Sequence, residues 1–93
     1  MSPQIQSEIK KAVEILLRHG ASEIFVFGSH AQDNATQFSD LDMAIRGMPP
    51  ENVYRAVGEV CAALSVPADI VDLDESGPAL DYLKAHGDFL RVA

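Results

Sequence analysis

The chain has 93 residues, of which 47% are hydrophobic, and its formal net charge is −7. This length predicts one domain with a single core, and the apolar fraction excludes a disordered chain. The negative charge argues against a direct nucleic-acid binder, because phosphate backbones require surfaces rich in Lys and Arg, but it suits a basic protein partner. The sequence has no apolar run near the roughly 20 residues of a membrane span and no signal-peptide pattern, so we expect a cytoplasmic protein.

The first third of the chain predicts a helix followed by a strand. Residues 4–19 carry apolar side chains at helical spacing, and Gly20 supplies the stop. Residues 24–27 are Ile-Phe-Val-Phe, a run of strand formers bounded by Gly28, which predicts a strand buried on both faces. Residues 29–33 are compatible with a short helical turn, followed by a loop.

Residues 41, 43 and 45 are large and hydrophobic, whereas the alternate positions from 40 to 46 are mostly charged. This alternation predicts a strand with one face in the core. The hydrophobic positions would face that core, and Asp40 and Asp42 would share the opposite face. Residues two apart on a strand have Cα atoms roughly 6–7 Å apart, so both carboxylates can reach one hard cation or a close pair of cations.

The second half predicts a helix over residues 51–64, a strand over 68–73, a helix over 78–86 and a short edge strand over 89–92. Cys61 lies in an apolar stretch of the first of these, so we expect a small buried thiol. The order of elements predicts an α/β (α+β) fold, in which about three to four helices pack on a mixed sheet of three to four strands.

The most informative motif joins the two strands of the first half. Gly28 and Ser29 close the first strand, and ten residues separate them from Asp40 and Asp42. A Gly-Ser turn can direct backbone N–H groups at a phosphate. Each half alone is compatible with a generic turn or a solvated edge strand, whereas metal-binding carboxylates beside a phosphate cradle favour a site for a nucleoside triphosphate.

The pattern G-S-x10-D-x-D, embedded in V-F-G-S and S-D-L-D-M-A-I, resembles the minimal nucleotidyltransferases of the DNA polymerase β superfamily. The resemblance covers nearly the whole chain and implies a fold like the polymerase β palm. It implies that Asp40, Asp42 and a third carboxylate are catalytic and hold two Mg²⁺ ions, for which Mn²⁺ can substitute, with ATP as the substrate. The residues that it assigns to nucleotide binding are Gly28, Ser29, His30 and Ser39.

Two residues compete for the role of the third carboxylate, Asp69 and Asp72. They are three apart, so on a regular strand they face opposite sides. The family pattern places an Asp before two apolar residues early in the strand, which favours Asp69 as the third catalytic and metal-binding residue. Asp72 stays open as the alternative, as a carboxylate at the end of the strand.

The resemblance implies transfer of AMP from ATP to a hydroxyl, with release of pyrophosphate. Small members of the family act as antitoxins beside a HEPN-type toxin, which they silence by modifying a tyrosine. The chain is too short for the helical domain that larger relatives use to recognise substrates. We therefore expect a protein partner, in a homo- or hetero-oligomer, to complete the substrate site.

One segment departs from the family pattern. Many relatives follow the Gly-Ser pair with basic residues and a further Gly, whereas residues 30–33 are His-Ala-Gln-Asp. This difference predicts weaker binding of the triphosphate, unless His30 partly replaces the missing cation. Two alternatives follow: a non-catalytic module that neutralises its partner by occlusion, and transfer to a small molecule such as an aminoglycoside.

Overall fold

The computed structural model describes residues 2–31 and 39–93 of the chain. In chain order, its elements are α1 (Pro3–Arg18), β1 (Glu23–Phe27), β2 (Leu41–Arg46), α2 (Pro50–Ala63), β3 (Ala68–Asp72), α3 (Pro78–His86) and β4 (Leu90–Arg91), with a 3₁₀ turn at Gly28–His30. The strands form one sheet in the order β3-β2-β1-β4. Strand β2 is antiparallel to β1 and parallel to β3, and β4 is antiparallel to β1, which confirms the predicted mixed sheet.

Helix α1 begins and ends within one residue of the predicted bounds, 4 and 19. The hydroxyl of Ser2 accepts a hydrogen bond from the backbone N–H of Ile5 at 3.2 Å, which satisfies one of the free donors of the first turn. At the other end, Gly20 takes a φ of +100°, a conformation that favours glycine and turns the chain toward β1.

The core lies between α1, α2 and one face of the sheet. As predicted, Leu41, Met43 and Ile45 of β2 are fully buried there. The remaining members of this cluster are Ile5, Ile9, Ala12, Ile15, Leu16, Ala21, Ile24, Val26, Met48, Ala56, Val60 and Leu64. In the part of the chain that the structure describes, no helix is long and apolar enough to cross a membrane.

Two predictions about burial are wrong. Strand β1 is not buried on both faces: Ile24 and Val26 are fully buried, whereas Phe25 and Phe27, on the other face, are only half-buried. Cys61 is exposed rather than buried. The buried stripe of α2 passes through Val60, and the next residue along a helix is turned by about 100° from it.

Glu8 is a buried charged residue that ties α1 to the segment after α2. Its side chain is 3% exposed, and its carboxylate accepts hydrogen bonds from the backbone N–H of Ser65 at 3.2 Å and from the Ser65 hydroxyl. The Nζ of Lys11 lies 3.5 Å from the same carboxylate. The Ser65 hydroxyl bond is the main cause that lowers the pKa of Glu8.

We expect Glu8→Ala to lower the free energy of unfolding at pH 7 by about 1–3 kcal/mol, because two donors of Ser65 lose their acceptor. Since the folded-state pKa is lowered, this contribution is present above the unfolded-state value and is lost as the pH falls through the folded-state value. Urea denaturation at several pH values measures both effects. Glu14→Ala, on the exposed side of α1, is the matched control, and an equal loss in both variants would contradict the assignment.

Candidate active site

The sheet brings the predicted carboxylates to one end. Asp42, near the start of β2, is directly opposite Phe27 of β1 on one side and Asp69 of β3 on the other. Residues opposite one another in neighbouring strands point to the same face, and the strands are about 4.8 Å apart. Asp40 is the residue directly before β2, whereas the sequence predicted it as the first residue of that strand.

Asp72 lies at the other end of the sheet. It is opposite Ile45, and its carboxylate accepts a hydrogen bond from the backbone N–H of Asp74 at 3.0 Å. Asp74 in turn accepts a hydrogen bond from the backbone N–H of Gly47 at 2.6 Å. Of the two candidates for the third carboxylate, the register therefore places Asp69 beside Asp42 and gives Asp72 a role in the turn after β3.

The carboxylates at this end repel one another. Partial burial is the main cause that raises the pKa of Asp42, and the negative charges of Asp69 and Asp40 raise it further, while His30 acts in the opposite direction. Excess negative charge on oxygen ligands is the environment that a divalent cation such as Mg²⁺ prefers. The donor set therefore fits such a cation in charge and in chemistry.

The side chains are not already arranged as a closed metal cage. Within residues 2–31 and 39–93, no three His, Cys, Asp or Glu side chains converge closely enough to hold a metal ion.

Gly28 packs directly against the Asp42 carboxylate. Its φ is +72°, and a Cβ atom at this position would overlap Oδ2 of Asp42. Glycine is therefore required here both for the backbone conformation and for the close approach. Ser29 follows in the 3₁₀ turn and is half-buried, whereas Gln32 and Asp33, the last two residues of the predicted turn, and the predicted loop after them lie outside the described residues.

His30 and Ser39 contact each other across the chain segment that joins β1 to β2. The imidazole of His30 is 5% exposed, and its Nε2 lies 3.1 Å from the carbonyl oxygen of Ser39. This contact links the turn after β1 to the residue before Asp40. That either residue binds the nucleotide stays a prediction.

Sequence reasoning missed an aromatic cluster on the face that carries Asp42. Phe89 packs against Phe25 and Phe27, with ring centroids 5.9 Å and 5.4 Å apart. Phe27 is opposite Asp42 in the sheet, so the cluster forms an apolar surface next to the carboxylates. The signal was available: the two phenylalanines of β1 alternate with buried aliphatic residues and must share the other face.

Two grooves in the described part of the chain lie away from this site. They have volumes of about 380 and 410 Å³ and share Val53, Asp72 and Glu75 as lining residues. Neither groove is lined by Asp42 or Asp69: the first lies at the end of the sheet that carries Asp72, and the second follows β3 from Ile70 to Asp72.

Comparison with known families assigns the chain to a class of proteins. The model of the nucleotidyltransferase domain family matches residues 7–89, nearly the whole chain. The protein therefore belongs to the nucleotidyltransferase domain family. A comparison with curated protein sequences gives no significant match.

Several solved structures share the fold. A toxin-antitoxin with AMP-PNP is 22% identical with a TM-score of 0.66, covering 86% of this chain and 69% of that one. A Tyr-to-Ala mutant of the MntA-HpeT toxin-antitoxin is 25% identical with a TM-score of 0.64, and the match covers 88% of this chain and 70% of that one. A Sulfolobus solfataricus protein with a provisional nucleotidyltransferase assignment is 19% identical with a TM-score of 0.52, covering 98% and 86%. The predicted nucleotidyltransferase fold is confirmed.

Proposed function

We propose that this protein is a metal-dependent adenylyltransferase that acts as an antitoxin, transferring AMP from ATP to a tyrosine hydroxyl of a HEPN-type toxin. The observation that carries the proposal is the register that sets Asp42 beside Asp69, with Gly28 packed against the Asp42 carboxylate. Membership of the nucleotidyltransferase domain family supports the reaction class. Structural similarity to toxin-antitoxin proteins, one of them with the ATP analogue AMP-PNP, supports the role and the nucleotide.

Asp40, Asp42 and Asp69 would hold the divalent ions, two Mg²⁺ in the proposed complex. The metal, when bound, would supply neutralisation of the charge that develops on the transferring phosphoryl group. A further solved structure supports the assignment of the Asp-x-Asp pair. It is an MntA-HpeT toxin-antitoxin mutant in which two Asp residues, separated by one position, are changed to Glu, and it is 20% identical to this chain.

The chain's own residues would position and deprotonate the reactants. The hydroxyl oxygen of the acceptor attacks the α-phosphorus of ATP, the bond from that phosphorus to the oxygen that bridges to the β-phosphorus breaks, and pyrophosphate leaves with the bond electrons. Asp69, which is exposed at the edge of the site, would accept the proton of the hydroxyl. Ser29 and the backbone after Gly28 would hold the leaving phosphates, and the apolar surface at Phe27 would border the site.

The partner would complete the substrate site. The net charge of −7 favours association with a basic surface, which an enzyme that binds RNA would present. The Tyr-to-Ala mutant among the similar toxin-antitoxin structures is consistent with a tyrosine as a residue of interest in such a pair. We propose a hetero-oligomer in which the partner presents its tyrosine to the face of the sheet that carries Asp42.

Binding of ATP with Mg²⁺ should stabilise the wild-type protein. At 100 times its Kd, a ligand that binds only the folded state adds about 2.7 kcal/mol to the free energy of unfolding, which thermal or urea denaturation detects. We expect Asp69→Asn to lose most of this stabilisation and about 10²-fold in transfer rate, because its carboxylate lies beside Asp42.

Asp72→Asn is the matched control, since Asp72 is in the same strand but at its other end. It should retain both the stabilisation by ATP and the transfer. The reverse result, with Asp72 essential and Asp69 dispensable, would show that the third carboxylate is misassigned.

One observation favours a second function, a binding module that neutralises its partner by occlusion. The imidazole of His30, the nearest candidate for the cation that the segment after Ser29 lacks, is buried against Ser39. If ATP and Mg²⁺ leave the stability of the wild-type protein unchanged while it still inhibits its partner, occlusion is the correct function.

A further inference from the structure

His30 is one of two buried polar or charged residues in the described core, and it lies at the candidate active site. Its side chain is 5% exposed, and Nε2 lies 3.1 Å from the carbonyl oxygen of Ser39. A side chain buried in this way presents little surface to a triphosphate. The contact instead joins two backbone segments that are nine residues apart in sequence.

We propose that His30 is a positioning residue that fixes the backbone before Asp40, rather than a ligand of the phosphates. This inference rests on the proposed function, because it concerns how the metal-binding carboxylates of that site are placed. The 3₁₀ turn that contains His30 begins at Gly28, which packs against Asp42. The hydrogen bond from His30 to Ser39 would hold Asp40 in place relative to the same turn. The carboxylates of Asp40 and Asp42 would then both be positioned by that turn.

The chemistry of the contact requires a proton on Nε2 of the ring. A carbonyl oxygen can only accept a hydrogen bond, so Nε2 must carry a proton to donate to Ser39. Both the neutral Nε2–H tautomer and the imidazolium meet this requirement, whereas the neutral Nδ1–H tautomer does not. The neutral Nε2–H ring that donates to Ser39 has no second N–H to donate to a phosphate.

Leu41, which follows Asp40, supplies an independent probe of the start of β2. The backbone N–H of Leu41 donates to the carbonyl oxygen of Pro67 at 2.8 Å, and the Leu41 side chain is fully buried. Its amide therefore exchanges with solvent only when the start of β2 opens. If His30 holds Ser39 and Asp40, loss of the imidazole should let this opening occur more often.

The first test uses the full chain and does not depend on transfer activity. Nitrogen-15 NMR of the imidazole should show Nε2 protonated in wild type, both before and after addition of ATP with Mg²⁺. His30→Ala should speed hydrogen exchange of the Leu41 amide about tenfold, as loss of one buried hydrogen bond predicts. His30→Gln, whose amide can donate to Ser39, should restore part of the protection, and His86→Ala, at the exposed end of α3, should leave it unchanged.

Kinetics then separate positioning from phosphate binding. A positioning role predicts that His30→Ala lowers kcat with little change in the KM for ATP, and that His30→Gln recovers part of the rate. A raised KM with unchanged kcat, an Nδ1–H tautomer, or unchanged exchange at Leu41 in His30→Ala would overturn the inference. Absence of transfer by the wild type would instead count against the proposed function, while the NMR and exchange results would still decide the role of His30.

Discussion

Asp42→Asn should reduce AMP transfer on the order of 10³-fold and at the same time make the metal-free protein more stable. The carboxylate is partly buried between the negative charges of Asp69 and Asp40, and these effects raise its pKa. Removing the charge removes a metal ligand and also the repulsion. We expect a gain on the order of 0.5–1 kcal/mol in the free energy of unfolding at pH 7, measured by urea denaturation without divalent ions.

The stability of the metal-free protein should change with pH in a defined direction. Because the pKa of Asp42 is raised in the folded state, the folded protein binds the proton more tightly than the unfolded chain. Its contribution to the stability of the metal-free protein therefore falls as the pH rises from the unfolded-state to the folded-state pKa, and Asp42→Asn should abolish this fall. Asp81→Asn, on the exposed surface of α3, is the control. A variant of Asp42 that loses stability and keeps its transfer rate would contradict the assignment.

Gly28→Ala should disrupt the site more than the small size of the added methyl group suggests. The residue has a φ of +72°, and its new Cβ would overlap the Asp42 carboxylate, so either the turn or the carboxylate must move. We expect a loss of about 1–3 kcal/mol in the free energy of unfolding, since backbone strain of this kind has that cost. Displacement of Asp42 should reduce transfer on the order of 10²-fold.

Gly58→Ala is the matched control for the same substitution. Gly58 lies within α2, and a Cβ there would have no described atom within 4 Å apart from its chain neighbours and the backbone of its own helix. Alanine in a helix should stabilise the protein by about 0.5–1 kcal/mol and leave transfer unchanged. Similar stability and activity changes in the two variants would show that Gly28 has no special relation to Asp42.

The parts of the fold that follow from local pattern could be predicted from the sequence. The alternation of β2 identified its core face, and Pro78 and Gly87 identified the bounds of α3, which the structure confirms. Burial of a strand is harder, because it depends on what covers each face. Strand β1 contains four consecutive apolar residues, yet Phe25 and Phe27 on its second face are only half-buried.

In the candidate site, too, some features follow from the local sequence and others depend on the fold. The motif identified Gly28 and Asp42 as neighbours in function, and the structure adds that their atoms touch. The choice between Asp69 and Asp72 could not be made from spacing alone, because it depends on the register of β3 against β2. The contact between His30 and Ser39 was also out of reach, since nothing in local sequence pairs an imidazole with a carbonyl nine residues later.

The most direct test of AMP transfer uses two labelled forms of ATP. The full-length protein is incubated with Mg²⁺, the protein encoded beside it, and ATP labelled on either the α- or the γ-phosphate. We predict that the α-label appears on a tyrosine of the neighbour, that the γ-label does not, and that Asp40→Asn/Asp42→Asn transfers neither. Transfer of the γ-label, equal labelling by the double variant, or no labelling by a wild type that binds ATP would contradict the proposed reaction.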